Sequence, residues 1–292
     1  MAADHAMAYP ADLLALVEQY LAGLEFGADH RAERLVEAMR YSLLAGGKRI
    51  RPVLTLATAR GRGADPRSVL PTAASLELIH TYSLIHDDLP AIDDDTLRRG
   101  RPTCHVAFGE DVAILAGDGL FAEAFNLVLT RQEGSREAVL GALTEIASAT
   151  GVQGMVGGQY MDVAGSAADD DDLRTLHALK TGRLIQAAVV CGALLSGADD
   201  VAPYRAFAAE LGLLFQIVDD ILDEAGAEHE LGKSVGKDRA AAKVTYVSRF
   251  GMGRAVELAR ESLDRAVRLL GELPGDTSDL LAVTRFIHDR RH

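Results

Sequence analysis

The chain has no tryptophan, only two cysteines and eight prolines, and aromatic residues make up just 5% of its 292 positions. Cys104 and Cys191 lie far apart and match no metal-ligand spacing. They supply neither a disulfide framework nor a thiolate metal centre, and two unpaired thiols fit a reducing compartment. Basic residues are also short: 30 Lys and Arg face 43 Asp and Glu, a formal net charge of −13, which argues against a nucleic-acid partner. The start, Met-Ala-Ala-Asp-His, has no basic n-region and no long apolar run, so no secretory signal is read there and a cytoplasmic protein is expected. The longest apolar stretch, near Leu184 to Leu195, contains Gln186 and falls short of the roughly 20 residues that span a bilayer. A buried helix, not a membrane anchor, is expected there.

What is present is helix-forming. Ala, Leu, Glu and Arg dominate, and apolar residues recur with helical rather than alternating period. Helices are expected near 11–24, 30–44, 50–61, 70–88, 110–131, 135–151, 153–164, 172–196, 203–225, 238–249, 251–272 and 277–290. Gly/Pro/Asp clusters such as Gly46-Gly47, Leu89-Pro90 and Pro274-Gly275 separate them. None of these breaks is long or low in complexity. The expectation is an all-α, single-domain large helical bundle spanning 1–292.

Two acidic clusters stand in apolar surroundings: Asp87-Asp88 with Asp93-Asp94-Asp95, and Asp219-Asp220 with Asp223. Uncompensated carboxylates in such surroundings are costly, so clusters of them call for cations. Hard oxygen ligands without thiolates point to Mg²⁺, commonly held by one or two carboxylates together with substrate phosphates. In the second cluster Gln216, Asp219, Asp220 and Asp223 follow i, i+3, i+4, i+7 spacing and share one stripe of an otherwise apolar helix. In the first, Asp87 and Asp93 would fall on different faces of a continuous helix. Pro90 breaks the helix and lets the chain bring Asp93 back towards Asp87. The run Asp169 to Asp172 reads differently, as the capped and solvated start of a helix.

Basic residues accompany the acids. Arg98-Arg99-Gly-Arg101 follows the first cluster at once, which suits a site holding metal and phosphate together. Gly46-Gly-Lys-Arg-Ile-Arg-Pro52 offers close backbone approach with Lys48 and Arg51 as phosphate donors, although its spacing is not that of a Walker loop. His86 and His105 read as hydrogen-bonded structural residues.

Together these segments resemble the trans-type (E)-prenyl diphosphate synthases. The matching strings run in the family's order: Gly46-Gly-Lys-Arg-Ile-Arg-Pro, Leu84-Ile-His-Asp-Asp-Leu-Pro-Ala-Ile-Asp-Asp-Asp, Leu97-Arg-Arg-Gly-Arg-Pro, Gly158-Gln-Tyr-Met-Asp162, Lys180-Thr-Gly, Phe215-Gln-Ile-Val-Asp-Asp-Ile-Leu-Asp and Leu231-Gly-Lys. The resemblance implies a bundle of the isoprenoid synthase type with a central cavity. It also implies Mg²⁺-dependent head-to-tail condensation of isopentenyl diphosphate with dimethylallyl or geranyl diphosphate. Three Mg²⁺ ions would be held by Asp87, Asp88 and Asp93 on one side and Asp219 with Asp223 on the other, with Asp162 in support. Arg98, Lys180, Lys233 and Lys243 would bind the allylic diphosphate, and Lys48, Arg51, His80 and Arg99 the isopentenyl diphosphate. Thr181, Gln216 and Tyr160 would face the allylic cation, while Lys180 and Lys233 assist departure of pyrophosphate. The family usually forms homodimers. One departure stands out: Ala242-Lys-Val-Thr-Tyr-Val replaces the usual Gly-Lys-Ser/Thr-Thr-Tyr-Pro of a loop that closes over the site, with Lys243, Thr245 and Tyr246 still in register and Asp238 nearby.

Product length is expected to be set just before the first cluster, since one helical turn of about 5.4 Å matches one isoprene unit. Ser83 is small and Tyr82 bulky. An aromatic there, with the inserted Pro90-Ala91, resembles the bacterial farnesyl diphosphate synthases, so a C15 product is expected and C20 is the alternative. Three other readings remain at this level. The His86-Asp87 pair suggests a helical metal phosphohydrolase, although His80 is poorly spaced to join it. A terpene cyclase would not need the Lys48/Arg51 element. A non-catalytic synthase subunit typically loses one of the two clusters, and this chain has both.

Overall fold

The computed structural model describes residues 9–27, 30–166, 169–231 and 244–290, with backbone alone over 226–231. The chain forms two compact units, one of residues 11–144 with 191–198 and the other of residues 145–190 with 199–290 and the start of the chain.

The first unit begins with α1 (Ala11–Ala22), α2 (Glu33–Leu43), α3 (Ile50–Gly61) and α4 (Leu70–Asp87). Residues 50–59 of α3 and 71–79 of α4 are buried on every face: Leu54, Leu56, Leu76, Leu78 and Ile79 expose nothing. Burying each such side chain is worth about 1.5–3 kcal/mol, so the helix that carries the first aspartates is firmly anchored. Its last two turns differ: His80, Tyr82, Ser83, Leu84, His86 and Asp87 are only half-buried. A two-stranded hairpin follows, β1 (Leu97–Arg98) pairing antiparallel with β2 (Arg101–Pro102). Arg99 and Gly100 both take positive φ (53° and 73°), the geometry of a tight primed turn. This hairpin and the short α5 (Cys104–Phe108) were not expected from periodicity, because each is too short and too charged to show any. α6 (Glu110–Arg131) packs along α4, and α7 (Arg136–Thr150) starts in this unit.

The second unit contains α8 (Met155–Val163), α9 (Asp170–His177), one π-helical turn (Ala178–Gly182), most of α10 (Arg183–Leu195), α11 (Ala202–Leu231), α12 (Tyr246–Phe250), α13 (Met252–Leu270) and α14 (Ser278–His288). The helix expected over 172–196 is present as a continuous helical stretch from Asp170 to Leu195, with the π-turn inside it. Two glycines let neighbouring backbones approach this turn: a Cβ at Gly158 would lie 2.3 Å from the Lys180 nitrogen, and one at Gly212 would lie 2.8 Å from Gly182 Cα. Asp169 caps α9 as expected, accepting from the backbone N–H groups of Asp171 (3.0 Å) and Asp172 (2.9 Å). Of the helix expected over 238–249, residues 238–243 lie outside the described residues.

Three helical stretches, Glu110–Arg131, Arg136–Val163 and Asp170–Leu195, are long and apolar enough to cross a membrane by length and composition alone. Apolar run length missed them, because isolated polar residues interrupt sequences otherwise rich in Ala, Gly and Leu.

Candidate active site

The first acidic cluster is a chain reversal at the end of α4. The Asp93 N–H donates to the Asp87 carbonyl at 2.9 Å, and Ile92 and Asp94 donate to the Leu89 carbonyl at 2.9 and 3.1 Å. Asp94 takes the left-handed conformation (φ 53°) that completes the turn. Asp87 and Asp93 thus come back together as the Pro90 break implied. Asp88 faces inward, 3% exposed. Its Oδ1 and Oδ2 accept from Arg98 Nε at 2.7 and 2.9 Å, and Arg98 Nη2 adds a 2.5 Å contact. Burial pushes the Asp88 carboxyl up, and the Arg98 guanidinium opposes that. Asp88 and Arg98, both assigned from the sequence to ligands, are here bound to each other. Asp88 acts as a strut that aims the guanidinium.

The turn of the hairpin brings Arg99 onto the Gly46-Gly47 loop, where its Nη1 donates to the Gly46 carbonyl. The φ of +126° at Gly47 favours glycine, and a Cβ there would lie 2.7 Å from the movable Arg99 guanidinium. Arg49, an anchor that sequence reasoning missed, holds the loop from beneath. It is 3% exposed, reaching Glu77 at 2.6 Å, Glu18 at 2.7 Å and the Leu43 carbonyl at 2.8 Å. Lys48 is exposed and Arg51 buried on either side of it. His80 sits within this basic group. Burial first, then the charges of Arg51, Arg99, Arg49 and Arg98, hold its pKa well below the ordinary value, so the imidazole is neutral.

Tyr82 makes edge contacts with His86 (5.2 Å) and Phe121 (5.0 Å), and Phe121 in turn meets Phe125 (5.2 Å), forming an aromatic ladder between α4 and α6. Ser83 Oγ donates to the His80 carbonyl at 2.9 Å. The two histidines behave structurally as expected: His86 Nε2 bonds the Ile114 carbonyl and His105 Nδ1 bonds Thr103 Oγ1, each at 3.1 Å.

In the second unit Lys180 and Thr181 ride on the π-turn. Lys180 Nζ pairs with Asp162 at 2.5 Å. Thr181 Oγ1 donates to Gln216 Oε1 at 3.1 Å, and Gln216 Nε2 donates to Asp220 Oδ1 at 2.8 Å. The other Asp220 oxygen accepts the Tyr246 N–H at 2.7 Å. Asp220 is 5% exposed, and burial, opposed by these hydrogen bonds, pushes its pKa up to about 6. The helical stripe read from the sequence therefore divides. Gln216 and Asp220 close an internal network, Asp219 is half-buried against Arg290, and Asp223 is exposed one turn later. Of the two residues in register despite the altered loop, Tyr246 meets this network through Asp220, while Thr245 caps α12. Tyr160 is 73% exposed. Lys233, Lys243 and Asp238 lie outside the described residues.

Two groups of carboxylates, each with a cation bound to one of them, lie on a mostly helical scaffold. Residues 32–280 match the polyprenyl synthetase family. The chain is 45% identical over 266 residues to a farnesyl diphosphate synthase of Geobacillus stearothermophilus, covering 89% of each chain. It is 42% identical over 264 residues to a geranylgeranyl diphosphate synthase of Cyanophora paradoxa, covering 88% of each. Its fold is similar to that of an FPP/GFPP synthase from Zymomonas mobilis, with TM-score 0.83, 32% identity, and 95% and 98% of the two chains covered. The chain belongs to the polyprenyl synthetase family, and its class of activity is prenyl transfer.

Proposed function

We propose that this enzyme condenses isopentenyl diphosphate with dimethylallyl and then geranyl diphosphate to give farnesyl diphosphate. The observation that carries the reading is the direct join of acids to bases in one segment. The Asp87–Asp93 turn runs straight into the Arg98–Arg101 hairpin, and Arg99 there meets the Gly46-Gly47 loop beside a neutral His80.

Asp87, Asp93, Asp162, Asp219 and Asp223 would hold Mg²⁺, with Asp88 contributing through Arg98. Among the described residues no three His, Cys, Asp or Glu side chains gather into a closed cage. All the donors are hard oxygens, and open, phosphate-completed coordination is what Mg²⁺ prefers, so the residues fit the ion. When bound, Mg²⁺ neutralises the charge that develops on departing pyrophosphate. Arg98, Lys180, Lys233 and Lys243 bind the allylic diphosphate and stabilise the same charge. Lys48, Arg51 and Arg99 bind isopentenyl diphosphate, and neutral His80 donates a hydrogen bond without adding charge. The allylic C–O bond breaks with its electron pair leaving on pyrophosphate. The isopentenyl double bond then attacks the cation, and the proton lost afterwards goes to the released pyrophosphate. Thr181 and Gln216 present oxygen dipoles to the cation, locked by their own hydrogen bond. No side chain is assigned as a general base.

Tyr82, backed by Phe121 and with Ser83 beside it, is the proposed stop for a growing chain, which favours C15 over C20. One family match across residues 32–280 supports treating the two units as a single functional domain. Ile114, Leu115 and Leu129 on α6 and Leu140 on α7 are 43–67% exposed, and we assign this apolar face to a second copy in a homodimer. Cys104 and Cys191, both buried, agree with the cytoplasmic setting we propose.

The test is incubation of the purified enzyme with isopentenyl diphosphate, Mg²⁺ and each allylic primer in turn, with products resolved by chain length. Farnesyl diphosphate is expected. A C20 product would overturn the chain-length assignment. Phosphate release without elongation would favour the hydrolase, and inactivity of the protein alone would favour a partner subunit.

A further inference from the structure

Two residues beyond the end of α14, Arg290 turns back onto α11, and its side chain is only 5% exposed. Nη1 pairs with Asp219 Oδ1 at 2.8 Å. Nη2 donates to the Phe215 carbonyl at 3.2 Å, Nε donates to the Ile287 carbonyl at 3.1 Å, and the guanidinium lies 4.2 Å from the centre of the Phe215 ring. Phe215 and Asp219 are one helical turn apart, so a single cation clamps two successive steps of the stripe that carries the second cluster. Enclosing a guanidinium is costly unless its donors are well matched. Here Nη1, Nη2 and Nε all have partners, and the aromatic face supplies a fourth contact. A lysine could not reproduce this fork.

We propose that Arg290 is a positioning residue for Asp219: it fixes the rotamer in which that carboxylate is offered to Mg²⁺, making the segment after α14 part of the metal site. The inference rests on the reading of Asp219 as a metal ligand. Outer partners that orient a ligating carboxylate typically matter about 10- to 100-fold in metal affinity.

The test is calorimetric titration of Mg²⁺ into the enzyme with inorganic pyrophosphate present, for the wild type and for the Arg290→Gln, Arg290→Lys and Asp219→Asn variants. Thermal melts without Mg²⁺ accompany each. Arg290→Gln is expected to weaken Mg²⁺ binding about 10-fold or more, Arg290→Lys by less, and Asp219→Asn at least as much as Arg290→Gln. If Arg290→Gln does not fold, Arg290→Lys alone carries the test, and unchanged Mg²⁺ affinity in it overturns the proposal. Tighter Mg²⁺ binding in Arg290→Gln would also overturn it, by making Arg290 a competitor for the carboxylate. A lowered melting temperature with unchanged Mg²⁺ affinity would reduce Arg290 to a structural tie. If Asp219→Asn leaves Mg²⁺ binding intact, the metal-ligand reading itself fails and the proposal falls with it. Loss in Asp219→Asn without loss in Arg290→Gln removes the proposal alone.

Discussion

The two aspartate sites solve the same problem in opposite ways. In the first, the helix ends and the chain doubles back, so that Asp93 bonds the Asp87 carbonyl and the cations come from the next few residues. Arg98 reaches Asp88 across only 10 positions. In the second, Asp219, Asp220 and Asp223 ride on an unbroken helix and Asp162 on α8, and the cations arrive from elsewhere: Lys180 joins Asp162 from a π-turn, and Arg290 reaches back across 75 positions to the Phe215 carbonyl. A local turn builds one site and long-range packing builds the other. The first should therefore be sensitive to turn chemistry, and the second to how closely backbones approach.

The largest expected effects treat the sites alike. Asp87→Asn and Asp219→Asn should each lower kcat/KM by at least about 100-fold in steady-state assays, the scale of losing a principal electrostatic contact in a transition state. If one variant kept near-normal activity, its site would drop out of the chemistry and the comparison with it.

Glycine variants should separate the two. At Gly158 an added Cβ meets the Lys180 backbone, which has no rotamer to change, so Gly158→Ala should cost about 1–3 kcal/mol in denaturant melts and depress kcat. At Gly47 the obstacle is the movable end of Arg99, but φ is +126°. Gly47→Ala should chiefly raise KM for isopentenyl diphosphate. The same kinetic signature for both variants would erase the distinction between the sites.

Tyr82→Ala should shift the product from C15 towards C20, read by chromatography of the dephosphorylated alcohols. An unchanged product would remove Tyr82 from the account of chain length.

The smallest effect concerns pH. The native His80 pKa is depressed by burial and by the surrounding arginines. Below about 6.5, therefore, the unfolded chain takes up a proton that the native state does not. Stability should rise with pH up to about 6.5 and then level off, with a slope from this group of at most about 1.4 kcal/mol per unit. Urea melts of the wild type and His80→Gln at pH 5.5 and 7.5 check the sign. A His80→Gln variant with the same pH slope as the wild type would contradict it.

The contrast also explains what could be read in advance. Helix spacing revealed α3, α4, α6 and α11, and Pro90 together with the Asp spacing revealed the first turn, because both signals are local. The β1–β2 hairpin escaped because Arg98, Arg99 and Arg101 mask a four-residue ladder. The π-turn escaped because the backbone approaches beside it, of Gly158 to Lys180 and of Gly212 to Gly182, are contacts between residues distant in the chain. Arg49 looked like one more basic residue of its loop, and its burial against Glu77 depends on α4. Asp88 and Arg98 were both legible as site residues, but their mutual bond was not, since composition cannot say which charge neutralises which. Arg290 carried no local signal at all.

The central proposal is that each aspartate set takes part in Mg²⁺-dependent binding of the allylic diphosphate. Calorimetric binding of geranyl diphosphate, with and without Mg²⁺, to the wild type, Asp87→Asn and Asp219→Asn tests it most directly. The account predicts Mg²⁺-dependent binding that weakens sharply in either variant, and a variant of either site that still binds as tightly as the wild type would contradict it.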